Sequence, residues 1–255
     1  MTPSTTWFED RAEELKAAII FCTRLPLLRA TPIADGALAK AAWAFPLAGL
    51  VVGVIGALIY ALAHRAGLPA WPAATLTVAA TLIVTGCLHE DGLADTVDGF
   101  GGGNTREHKL DIMRDGRIGV YGMCALMISL LLRVGALASL PDARAVVWAL
   151  IAAHAAARAT MPALMLLVPP ARSDGLSFTA GRPPSDGVAA AAVLALLILM
   201  ICLHPARGLL AAIVLTIVVM LTAWLSTSQI EGQTGDVLGA LEQVGEIAVL
   251  IVALG

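Results

Sequence analysis

Thr81–Gly103 reads TLIVTGCLHEDGLADTVDGFGGG, an apolar run that passes without a linker into four carboxylates and a string of glycines. The first half is suited to a bilayer and the second is costly there, so the junction marks a membrane edge. The composition agrees. Of 255 residues, 58% are hydrophobic and 14% charged, where soluble domains carry roughly 25% charged residues. Mean hydropathy is +0.85. The expected fold class is all-α, a polytopic membrane helical bundle forming a single domain over 1–255. A net charge of −3 leaves no basic patch for nucleic acid. Cys22, Cys87, Cys124 and Cys202 show no C-x-x-C spacing and read as buried free thiols. The opening MTPSTTWFEDRAEELK is polar and acidic, unlike a secretory signal peptide.

A crossing helix needs about 20 mostly apolar residues. Ala41–Ala63, Ala70–Leu88, Ile118–Leu140 and Ala145–Val168 meet that length. Val188–Leu203 and Gly208–Leu225 follow, and Val244–Leu254 reads as a short, tilted or half-buried last helix. About six to seven transmembrane helices result. Leu15–Leu28 contains Lys16 and Arg24 and reads as an N-terminal interfacial helix. With a cytoplasmic N-terminus, eleven of the sixteen Lys and Arg fall inside, and Arg65, Arg144 and Arg207 fall outside. That asymmetry satisfies the positive-inside rule. It gathers three polar segments, 89–117, 169–187 and 226–243, on one cytoplasmic face.

Asp91, Asp95 and Asp98 stand at i, i+4, i+7 and share a face of any helix continuing from Leu88. Like charges so placed repel. Oxygen-only donors of this kind suit Mg²⁺, which keeps waters and binds through a few carboxylates and substrate phosphates. The neighbouring glycines, Gly101 and Gly102 among them, would let backbone N–H groups approach an anion. Arg106, Lys109, Arg114 and Arg117 are cations for phosphate oxygens. Asp111 and Asp115 form another i, i+4 pair, read either as metal ligands or as salt-bridge partners of Lys109 and Arg114. His89 is a ligand, a proton shuttle or a polar cap at the membrane edge.

Arg133 and Arg158 lie within apolar runs, with His154 on the face of Arg158. A central Arg costs about 2.5–3.5 kcal/mol even on a lenient scale, so such residues face the protein interior. Arg133 reads as structural. Arg158 is either an anionic-substrate contact or half of an internal ion pair. In Ser226–Glu246, Glu231, Asp236, Glu242 and Glu246 have no basic neighbour. Taken with the first cluster, Glu246 and its companions point to a cation held from two sides.

These residues carry a resemblance over nearly the whole chain. HEDGLADTVDGFGGG is similar to the H-x-D-G-L-A-D-x-x-D-G motif of the cobalamin synthase (adenosylcobinamide-GDP ribazoletransferase) family. REHKLDIMRDGRIGVYG at Arg106–Gly122, TGDVLGALEQVGE at Thr234–Glu246, FPLAGLVVG at Phe45–Gly53 and FCTRLP at Phe21–Pro26 extend it. Gly116 departs from the small hydroxyl residue the family pattern leads one to expect, and Glu90 stands where an apolar residue is commoner. The resemblance implies a Mg²⁺-dependent enzyme of the bacterial cytoplasmic (inner) membrane. It would join adenosylcobinamide-GDP to α-ribazole or its 5′-phosphate, release GMP, and yield adenosylcobalamin or its 5′-phosphate. Asp91, Asp95, Asp98, Asp115 and Glu246 are the metal ligands expected on this reading. Arg106, Arg114, Arg117, Arg158, Gly101 and Gly102 would hold phosphate. Asp98 or Asp236 would take the hydroxyl proton, with His89, Thr234 and Arg24 as further site residues. Besides both substrates and membrane lipid, partners would be a second copy of the chain or other cobalamin-pathway enzymes.

Two rivals stand beside it. A CDP-alcohol phosphotransferase needs D-G-x-x-A-R, and Asp95 occupies the place of that Arg. A divalent-cation transporter would place acidic groups at mid-span, not at one face.

Overall fold

The computed structural model describes residues 7–25 and 34–255. It is helical, and the one β-type contact among these residues is a bridge between Pro170 and Gln233. The elements are α1 (Trp7–Cys22), α2 (Ala37–Lys40), a 3-10 turn, α3 (Phe45–Arg65), α4 (Ala70–Thr85), α5 (Leu88–Gly102), α6 (Arg106–Ile112), α7 (Val120–Ser139) and α8 (Ala143–Leu167). They continue with α9 (Leu176–Ala180), α10 (Ser185–Leu203), α11 (Pro205–Ile230) and α12 (Gly235–Leu254).

Among the described residues, six helical segments are long and apolar enough to cross a membrane: Ala37–Arg65, α7, α8, α10, α11 and α12. α8 forms the centre. It is the most buried of the six, and its neighbours include α3, α10 and α12. Alanines on α8 sit at zero exposure, from Ala149 to Ala157, and allow these helices close approach. Helix α1 packs on α3 and leaves Trp7 and Phe8 exposed, in keeping with an interfacial position. Part of the segment expected for that helix, Pro26–Leu28, lies outside the described residues.

Two expectations change. The run Ala70–Leu88 is not one straight span. Gly86 (φ 66°) and Cys87 (φ 58°) are both left-handed, and α4 and α5 meet at 89°. A side chain at Gly86 would run into the Arg24 guanidinium packed over it, so the position needs glycine for both backbone and space. The second change is at 226–243, which is not an extended polar segment. α11 runs to Ile230, Glu231 takes a left-handed conformation (φ 57°), and Thr234 starts α12 by accepting the Val237 N–H. The last helix therefore spans 20 residues and carries Asp236, Glu242 and Glu246. The four cysteines are free, as expected, but Cys87 and Cys124 are exposed.

Candidate active site

All three polar segments meet at one end of the bundle. Ala171 N–H donates to Gln233 O (2.8 Å) and Gln233 N–H to Pro169 O (2.9 Å). Arg114 donates to both oxygens of Asp174, at 2.9 and 2.8 Å. α5 enters this end against α12. A Cβ at Gly92 would come within 2.8 Å of Asp236 O, and one at Gly239 within 3.2 Å of the His89 backbone. A side chain at Gly92 would force the two helices apart, and one at Gly239 would be tightly squeezed.

That contact brings Asp91, on α5, and Asp236, on α12, to the rim of one cavity of about 250 Å³, with Arg172 beside them. The charges acting on Asp95 are those of Asp91, Asp236 and Asp98, opposed by Arg172. Asp91 is exposed, while Asp236 and Arg172 are half-buried, at 22% and 17% side-chain exposure. The rim is therefore wet, acidic and short of cations. Behind it, the walls include Phe45, Met161 and Met165, all buried.

Asp98 belongs to the same helix but does something else. Its two oxygens accept the Gly119 and Gly122 N–H groups at 2.7 and 2.8 Å. It caps the start of α7, satisfying donors that have no intrahelical partner.

Deeper in the bundle lies a second carboxylate set, and this one is neutralised. Arg133 Nη1 is 3.0 Å from Glu90 Oε1 and 3.3 Å from Glu246 Oε1. Arg158 Nη1 is 2.7 Å from Glu242 Oε1, and His154 Nδ1 is 3.1 Å from Glu246 Oε2. His89 Nδ1 is 3.5 Å from Glu242 Oε2. All seven residues are buried. His154, Glu242 and Glu246 bring ligand atoms within 4.8 Å of one another, which would suit a metal by distance alone. Two arginines already occupy the charge balance there. Arg158 is thus placed in the internal ion pair and not at the cavity rim, and Glu246 in the Arg133–His154 set and not beside Asp91. Asp91, Asp95 and Asp236 do not bring ligand atoms within 4.8 Å of one another.

A model of the cobalamin-5-phosphate synthase family, CobS, matches residues 14–254. The chain belongs to this family. It is 52% identical to an adenosylcobinamide-GDP ribazoletransferase of Bradyrhizobium diazoefficiens over 99% of this chain and 97% of that protein. It is 51% identical to the adenosylcobinamide-GDP ribazoletransferase of Mesorhizobium japonicum over 94% and 92% of the respective chains. No solved structure matches it.

The remaining expected residues of this family member fall into two groups. Thr234 stands next to the rim, its Oγ1 donating to Asp236 Oδ2 at 3.1 Å. His89 lines the cavity. The others stand apart from it. Arg106 ties loops together, with Nε donating to Ile230 O at 3.0 Å and Nη2 to Ala171 O. Arg114 is spent on Asp174. Arg117 pairs with Asp115 at 2.6 Å, both exposed, and its guanidinium holds the Asp115 carboxyl below the usual carboxylate range. Arg24 packs over Gly86. Gly101 and Gly102 close the last turn of α5, where a helix presents carbonyls and not N–H groups, so they cannot cradle an anion as expected. The residue that sequence reasoning passed over is Arg172. Its signal was slight: a single cation in PPARSDG, a loop with no repeat or spacing to mark it.

Proposed function

We propose that the protein joins adenosylcobinamide-GDP to α-ribazole, or its 5′-phosphate, in a Mg²⁺-dependent reaction that releases GMP. The setting is the cytoplasmic face of the bacterial inner membrane. Family membership supports the reaction class. The observation that carries the site is the convergence of Asp91, Asp236 and Arg172 at one cavity mouth from three separate polar segments, with Asp95 near enough to feel all three charges. The excess of Lys and Arg on that side supports its cytoplasmic orientation.

The chemistry follows from the donor set. Asp91 and Asp95 offer carboxylate oxygens without a local cation to satisfy them beyond Arg172, which fits a hard ion such as Mg²⁺. When bound, Mg²⁺ would neutralise charge on the pyrophosphate and on the departing phosphate. Arg172 would hold a phosphate oxygen. The ribazole hydroxyl oxygen forms a bond to the phosphorus attached to cobinamide, and the bond from that phosphorus to the GMP oxygen breaks. Of the two carboxylates expected to take the hydroxyl proton, Asp98 has both oxygens engaged by backbone N–H groups. Asp236 lies at the rim, 3.6 Å from Arg172, and is assigned the role.

The test uses purified protein in detergent with adenosylcobinamide-GDP, α-ribazole and Mg²⁺. GMP and a cobalamin product are expected in equal amounts. CMP release from a CDP-alcohol with no GMP from the corrinoid donor would overturn the reading. So would Mg²⁺ flux into proteoliposomes without added nucleotide and without GMP formation.

A further inference from the structure

The cavity behind the rim is too small for most of what the proposed reaction handles. At about 250 Å³ it falls below the roughly 300–1,000 Å³ of sites that enclose drug-sized ligands. A corrinoid cannot enter. A bicyclic aromatic base can. The choice then lies between the base of the ribazole and the guanine of the donor nucleotide.

Polarity separates them. The inner walls are Leu38, Phe45, Met161 and Met165, at 8%, 3%, 2% and 8% exposure. Guanine carries donors and acceptors along two edges, and burying them without partners is costly. A benzimidazole has an apolar body and, once joined to its sugar, one acceptor nitrogen. Thioether sulfurs and an aromatic ring suit its flat face.

The cavity also holds one polar group of the matching kind. His89 lines it and is 2% exposed, and its Nε2 is buried without a hydrogen-bond partner. Nδ1 lies 3.4 Å from Arg158 Nη2 with hydrogen-bond geometry, whereas the Glu242 carboxylate at 3.5 Å is near it by distance alone. Arg can only donate, so Nδ1 accepts and the ring hydrogen sits on Nε2. That leaves a single buried donor for a single ring acceptor.

We propose that this cavity binds the aromatic base of the ribazole substrate between Phe45, Met161 and Met165, with His89 Nε2 donating to its free ring nitrogen. The inference rests on the transferase reading for the identity of that base. With the base inside, the attached ribose lies at the rim, where Asp236 meets its hydroxyl. The corrinoid and the guanosine stay outside.

The test begins with wild-type protein in detergent and no donor, by equilibrium dialysis of ribosides. α-Ribazole is expected to bind at least ten-fold more tightly than guanosine. An indole riboside, which has carbon in place of the acceptor nitrogen, should bind several-fold more weakly than α-ribazole. Met161→Trp and Met165→Trp fill the cavity and should raise the KM for α-ribazole at least ten-fold while the donor KM stays within two-fold. Guanosine binding as tightly as α-ribazole, or tryptophan variants that raise the donor KM instead, would overturn the proposal. Should either variant fail to fold, the riboside series on the wild-type chain decides alone. A wild-type protein that binds α-ribazole selectively yet releases no GMP would sink the transferase reading and leave the base pocket standing.

Discussion

Two sets of acidic residues share the helices α5 and α12, and they have opposite characters. On α5 and α12, Glu90, Glu242 and Glu246 are buried and face Arg133, Arg158 and His154. On the same two helices, Asp91 and Asp236 face a cavity mouth with Arg172 as the neighbouring cation, and Asp95 feels the charge of all three. Both sets look alike in sequence: carboxylates at helical spacing with no basic residue nearby. The difference lies in what packs against them. A carboxylate that the fold has already neutralised is structural, because a buried charge is tolerated only when paired. A carboxylate left without sufficient counter-charge beside an accessible cavity is available for a metal ion and a phosphate.

The contrast breaks most sharply at Arg158. Arg158→Met leaves Glu242 buried without its 2.7 Å partner, and removing one member of such a pair costs about 3–5 kcal/mol. Thermal unfolding in detergent should register that loss. Adding Glu242→Met to the same chain should restore most of it, since two apolar side chains of similar volume replace the pair. If Arg158 instead served substrate, the single variant would melt like the wild type and fail only in turnover.

Asp91→Asn is the converse. The side chain is exposed at the rim, so the variant should melt with the wild type. Its GMP release should fall about 10²–10³-fold, the scale for losing one contact to transition-state charge. Raising Mg²⁺ should recover part of the rate if the lost contact is to the metal. A variant that unfolds, or one that turns over normally at limiting Mg²⁺, would place Asp91 with the structural set.

The sequence made the outline of the bundle legible because a membrane span is written in contiguous residues. Spans α7, α8 and α10 fall within a few residues of the apolar runs that announce them. The last helix was misjudged at its start for the opposite reason. Glu242 and Glu246 look too charged to sit in a bundle, and the cations that make them tolerable lie on other helices: Arg133 is 113 residues from Glu246. Local periodicity carries no trace of such a partner. The 89° break after α4 was equally hidden, because TGCL contains no proline and the left-handed residue beside Gly86 is a cysteine. In the site, Asp91 and Asp236 were visible from their segments. Asp98 was not separable from them, since its distinguishing feature is two backbone N–H groups at Gly119 and Gly122.

The smallest effect is expected at Arg117, and it sharpens the boundary of the site from outside. A cation in a motif rich in aspartate and arginine reads naturally as a phosphate ligand. Here Arg117 is 87% exposed at the side chain and engaged with Asp115 two residues away. Exposed pairs of this kind contribute little, because water and salt screen them. Arg117→Gln should therefore change GMP release by less than about two-fold at saturating substrates. Arg172→Gln, at the rim, should fall much further under the same conditions. If the order were reversed, the loop carrying Arg117 would have to fold over the cavity during turnover, and the phosphate site would extend beyond the rim to include it.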